Sequence, residues 1–146
     1  MTISKAGVYH LDPIVALAKK LWPNEKEDDL AKEFYKILQD GESAIFFVEE
    51  SREIVGFAQC QLRKEYVEGT NSSPVGYLEG IYLEPEYRGQ GIAGQLLDKC
   101  EEFAKENGCT EFASDIELEN EASYHFHDKN GFVEVNRIIH FTKALE

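Results

Sequence analysis

Apolar positions along this chain change period several times, and each change marks an element. Leu30, Phe34, Ile37 and Leu38 recur at the three- and four-residue intervals of one helix face. Asn24 followed by Glu27 has the form of a capping box, so the pattern predicts a helix over 25–38. Ahead of it, Asp12-Pro13 reads as an N-cap and first helical residue, and Trp22-Pro23 ends that earlier helix. A short strand over 2–7 opens the chain. Runs 43–49 and 53–67 have strand character, and the polar Glu50, Ser51 and Arg52 between them predict a hairpin.

Residues 68–74 are rich in Gly, Asn and Ser and read as a loop. A strand over 77–83 stops near Pro85. The helical period returns over 92–107, where Ile92, Leu96, Leu97, Cys100, Phe103 and Ala104 form the apolar face and Gly108 closes the helix. A short strand over 110–115, a helix over 121–130 with Gly131 as C-cap, and a long strand over 132–145 complete the chain. The order β-α-α-β-β-β-α-β-α-β combines hairpins with strand–helix–strand units. It implies an α/β (α+β) mixed sheet with helices on both faces. The 146 residues suit one domain, 1–146.

Composition narrows the classes. No apolar run is long enough to cross a bilayer, and residues 1–7 lack the basic and apolar regions of a signal peptide, so the cytoplasm is the expected location. Cys60, Cys100 and Cys109 are odd in number and lack metal-ligand spacing, which predicts packing rather than chemistry. His125 and His127 lie two apart on a predicted helix and face different ways, so no metal is expected there either. Asp and Glu outnumber Lys and Arg by 28 to 15, for a net charge of −13. Such a surface excludes nucleic acid as a natural partner and attracts cationic small molecules. It also suits plain solubility.

The most informative stretch runs from Tyr77 through Leu83 into Arg88-Gly89-Gln90-Gly91-Ile92-Ala93-Gly94. A strand enters a loop whose glycines leave main-chain N–H groups unobstructed, and a helix begins at once. Amides and the positive helix terminus converge there on an anion site. The stretch is neither a dinucleotide-binding GxGxxG nor a Walker A loop.

Residues 88–93 resemble the Arg/Gln-x-x-Gly-x-Gly/Ala signature of the GNAT N-acetyltransferase superfamily. In that family the loop amides hold the coenzyme A pyrophosphate, and the preceding strand, here Ile81, Tyr82 and Leu83, pairs with pantetheine. The resemblance therefore implies a GNAT fold, acetyl-CoA as cosubstrate, and coenzyme contacts from residues 81–83, from 88–94 and from Asn120. Trp22-Pro23, Tyr66-Val67, Ser73-Pro74-Val75, Leu78-Glu-Gly-Ile81 and Ala113-Ser-Asp115 look like the aminoglycoside 6′-N-acetyltransferase branch across nearly the whole chain. That branch implies an aminoglycoside acceptor, a homodimer and antibiotic resistance.

Acetyl transfer requires a neutral amine, whereas an alkyl ammonium like that of lysine has a pKa near ~10. Carboxylates that accept the proton and hold other ammonium groups are therefore needed. Glu79 is the candidate base or water-positioning residue. Asp115 is the candidate ammonium ligand, with base as an alternative role. Trp22 and Tyr66 could wall the sugar rings, although Trp22 suits core packing equally well. Many superfamily members place a tyrosine four residues before the glycine of the Gly-Phe pair, as general acid. Here that place holds His127, with Tyr124 one turn earlier, so the general acid stays open. A superfamily member acting on a polyamine or on a protein or peptide amine is the alternative enzyme. A coenzyme- or antibiotic-sequestering protein is the alternative of another class.

Overall fold

A computed structural model describes residues 1–146. Five strands form one sheet in the order β1-β2-β3-β4-β5: β1 (Thr2–Lys5), β2 (Ser43–Glu50), β3 (Glu53–Arg63), β4 (Val75–Leu83) and β5 (Phe112–Ser114). The first four run antiparallel, and β5 lies parallel to β4. The helices are α1 (Leu11–Leu21), α2 (Glu27–Gln39), α3 (Ile92–Glu106) and α4 (Glu121–Lys129). None is long and apolar enough to cross a membrane.

Alternation along the strands divides the core into two layers. Val48, Ala58 and Leu78 turn toward α3, where Leu96, Leu97 and Cys100 complete a buried cluster. Ile45, Phe47 and Phe57 turn the other way, onto Ile14 and Ala18 of α1 and Leu30 and Phe34 of α2. Helices therefore cover both faces of the sheet, as the element order implied. Cys60, Cys100 and Cys109 are buried free thiols. The β2–β3 hairpin turns through Ser51 (φ 52°) and Arg52 (φ 68°).

Several sequence-derived boundaries shift, each for a physical reason. Asp12 is not the N-cap of α1. A 3₁₀ turn over Val8–His10 runs straight into the helix, whose N-cap is His10. That ring lies 4.4 Å from Phe47 and accepts a hydrogen bond from the Gly7 amide, so packing sets the start. The Asn24–Glu27 capping box does not form either. Helix α2 starts at Glu27, and Glu27, Asp28 and Asp29 in its first turn complement the helix dipole.

Strand β3 ends at Arg63 rather than 67, because its neighbour β4 begins at Arg63's partner, Val75. The expected strand over 132–145 is absent. No main-chain hydrogen bond joins residues 133–146 to the rest of the chain, and a strand exists only against a partner edge. This tail does touch the body: Val135 packs so tightly over Gly69 that a Cβ there would lie 2.7 Å from its side chain.

Candidate active site

Two strand irregularities create the site. Along β3 and β4, Gln59 pairs with Gly80 and Cys60 with Leu78, which leaves Glu79 unpaired in a bulge. Bulges re-aim side chains, and this one lies at the centre of the sheet. On the other edge of β4, the parallel pairs Gly76–Phe112, Tyr77–Ala113 and Leu78–Ser114 end where the strands part. From Gly80 to Leu83 the main chain of β4 is thus paired with β3 alone. Glu79 and Asp115 are the first residues beyond the parting.

Four side chains meet there. Arg63 donates twice to the Glu79 carboxylate, Nε to Oε2 at 3.0 Å and Nη2 to Oε1 at 2.8 Å. Its guanidinium carbon lies 3.4 Å from the centre of the Tyr77 ring. The Tyr77 hydroxyl donates to Asp115 Oδ2. Burial, reinforced by the Asp115 carboxylate, pushes the Tyr77 phenol well above its usual pKa, so it remains a donor. Glu79 and Asp115, the two carboxylates singled out in the sequence, are therefore brought into one network, through two residues that sequence reasoning missed. Tyr77 opens the predicted strand over 77–83, with nothing in its type or spacing to mark it. Arg63 had no motif at all; alternation in β3 and β4 would have placed both near Glu79 only if the bulge had been known.

Farther along β4, the chain passes through Glu84 and a short 3₁₀ turn into the glycine loop. Arg88 Nε donates to the Leu83 carbonyl at 2.7 Å, tying the loop to the strand end. Gln90 donates to the Glu86 carbonyl. Gly89 (φ 77°) and Gly91 (φ 81°) adopt left-handed conformations, and Gly91 is the N-cap of α3. A Cβ at either would meet nothing within 4 Å. The space over the loop is open, the amides of the first turn at Ile92, Ala93 and Gly94 have no helical acceptors, and the helix end is positive. This donor set and this room fit a pyrophosphate. The free edge of Ile81, Tyr82 and Leu83 fits an amide-bearing arm.

The remaining candidates are more mixed. The Trp22 ring edge covers Gly80, whose Cβ would lie 2.6 Å from it, and the ring packs near Phe34 and Phe57. Trp22 is therefore half core and sits beside the bulge. Tyr66 is 76% exposed in the loop after β3. Asn120 caps α4, accepting from the Ser123 amide at 3.1 Å. His127 is held at both nitrogens, by the Ser123 carbonyl at 2.7 Å from Nδ1 and by Ser114 Oγ at 2.8 Å from Nε2. Its ring is flanked by Phe126 and Phe132. Ser114 adjoins Asp115, so His127 reaches the site by way of β5.

Known proteins resemble this chain in sequence and fold. Residues 11–132 match the model of the acetyltransferase (GNAT) family. The chain is 40% identical over 132 residues, 90% of each chain, to an aminoglycoside N(6′)-acetyltransferase type 1 of Acinetobacter genomosp. 13. The aminoglycoside 6′-N-acetyltransferase AAC(6′)-IG of Acinetobacter haemolyticus superposes with a TM-score of 0.93 at 34% identity, covering 100% of both chains. The enzyme AAC(6′)-Iy, solved with the bisubstrate analogue CoA-S-monomethyl-acetylneamine, superposes with a TM-score of 0.93 at 35% identity, covering 99% of this chain and 98% of that one. With its parted β4 edge, its glycine loop and these relatives, the chain belongs to the acetyltransferase (GNAT) family.

Proposed function

We propose that residues 1–146 form one acetyltransferase domain that moves the acetyl group of acetyl-CoA to the 6′-amine of aminoglycoside antibiotics, and so confers resistance. The observation that carries this reading is the meeting of two carboxylates, Glu79 and Asp115, at the point where β4 and β5 part. That point heads an open strand edge leading into an anion cradle. Carboxylates at the acceptor end select for cationic amines, and the relatives named above act on such molecules.

In this reading, the amides of residues 88–94 hold the pyrophosphate, the free edge of Ile81, Tyr82 and Leu83 holds the pantetheine arm, and Asn120 supplies a further coenzyme contact. The coenzyme supplies an activated acetyl group as a thioester. The chain supplies the acceptor site. Asp115, kept in place by the Tyr77 hydroxyl, binds a substrate ammonium. Glu79 takes a proton from the reacting nitrogen, directly or through water, so that the lone pair becomes available. Main-chain N–H groups on the free β4 edge stabilise negative charge on the acyl oxygen. His127, linked to Ser114 at the site, is the candidate proton donor to the departing sulfur. Trp22 and Tyr66 border the sugar rings.

Self-association and location follow from the same reading. Val133, Val135, Ile138, Ile139, Phe141 and Leu145 are exposed along the tail, an apolar surface that supports a homodimer. Three unpaired thiols and an acidic surface support a cytoplasmic protein that does not bind nucleic acid. A steady-state panel of kanamycin, tobramycin, spermidine and a lysine peptide tests the acceptor class, and NMR of the product locates the acetyl group. Acetylation at the 6′ nitrogen is expected, with 6′-hydroxy aminoglycosides bound and turned over poorly. Rapid acetylation of the peptide with none of the aminoglycosides would overturn the reading.

A further inference from the structure

We infer that Arg63 is a built-in counter-ion that occupies the ammonium position at Glu79 and is displaced when a polycationic acceptor binds. The inference rests on the acceptor class proposed above and adds a specificity-determining residue to it. Arg63 places a planar cation where a substrate ammonium would otherwise sit, with two hydrogen bonds to one carboxylate. The Tyr77 ring forms the floor of that position, 3.4 Å beneath the guanidinium. Because the Tyr77 hydroxyl donates to Asp115, its ring stays electron-rich and favours a cation above it.

Charge and exposure argue for exchange. Glu79 and Asp115 contribute two negative charges and Arg63 one positive charge, so the resting cluster lacks one cation. A single ammonium is enough to neutralise Asp115. Only a second ammonium on the same molecule compensates Glu79 when Arg63 leaves, so the arrangement favours acceptors with several amines over those with one. Arg63 is also the last residue of β3, where the chain enters the 64–74 loop. Its side chain is 38% exposed against 19% for Glu79, so the arginine is the partner with solvent to move into. Exchange also frees Glu79 from its partner at the moment the reacting amine arrives.

Calorimetry with kanamycin and with the monoamine 6-amino-6-deoxyglucose, on the native enzyme and on Arg63→Ala and Arg63→Lys, tests this by binding alone. Circular dichroism and unchanged coenzyme A affinity check the fold of each variant. Arg63→Ala is expected to bind kanamycin at least about fivefold more tightly and the monoamine at least about tenfold more tightly. Methylguanidinium should compete with kanamycin in Arg63→Ala but not in the native enzyme. Arg63→Lys, which keeps the charge but not the planar double contact, should fall between. Equal or weaker kanamycin binding in both folded variants would make Arg63 a structural brace and overturn the inference. Native turnover, measured beside these, keeps the two claims apart: absence of aminoglycoside acetylation sinks the acceptor assignment, whereas an active native enzyme with unimproved variants sinks only the role of Arg63.

Discussion

Glu79 and Asp115 carry the same charge and stand side by side across two strands, yet their partners differ. Glu79 faces a cation in Arg63, whereas Asp115 receives only a neutral phenol. The proposed roles divide along the same line: Asp115 binds a substrate ammonium, and Glu79 accepts the proton of the reacting amine. Glu79→Gln preserves shape and removes the basic site, so kcat should fall by about a hundredfold with coenzyme affinity unchanged. Asp115→Asn should instead raise the aminoglycoside KM by about tenfold, about 1.4 kcal/mol, with a smaller change in kcat. Steady-state kinetics separates these outcomes, and the reverse assignment would exchange the two roles. His127→Ala should lower kcat and alter its pH profile. An unchanged kcat would leave the imidazole as the pin between α4 and Ser114.

At the level of elements, α3 shows how a sequence announces a site. The glycines at 89 and 91 are required by left-handed backbone, and the residues after them keep helical period, so strand, glycine loop and helix are all legible in the sequence. Gly89→Asp puts a charged side chain into the open cradle at φ 77° and should weaken coenzyme binding by at least about tenfold, about 1.4 kcal/mol. Calorimetry on a variant that retains native circular dichroism measures this, and unchanged affinity would remove the loop from the coenzyme site. The starts of α1 and α2 were less legible. Local capping rules lost there to the contact of His10 with Phe47 and to the acidic first turn of α2. Arg63 was hidden for a different reason. Its partner is set by a bulge, and a one-residue register shift leaves no trace in the pattern of either strand alone.

Across the whole molecule, acidic residues outnumber basic ones by 28 to 15, for a net charge of −13. Long-range attraction of a polycation should therefore be visible in its ionic-strength dependence. The aminoglycoside KM should rise with added salt, while the acetyl-CoA KM should not rise in parallel. A flat aminoglycoside KM would leave the surface charge with a role in solubility only. The tail beyond Phe132 has another consequence. It exposes Ile138, Ile139 and Phe141 and shares no main-chain hydrogen bond with its own body. In the proposed dimer, the order of this segment is borrowed from a second copy and becomes subject to mass action. The melting temperature should then climb with protein concentration. A dilute sample should lose protection from hydrogen exchange first along residues 133–146, before the five-stranded sheet opens.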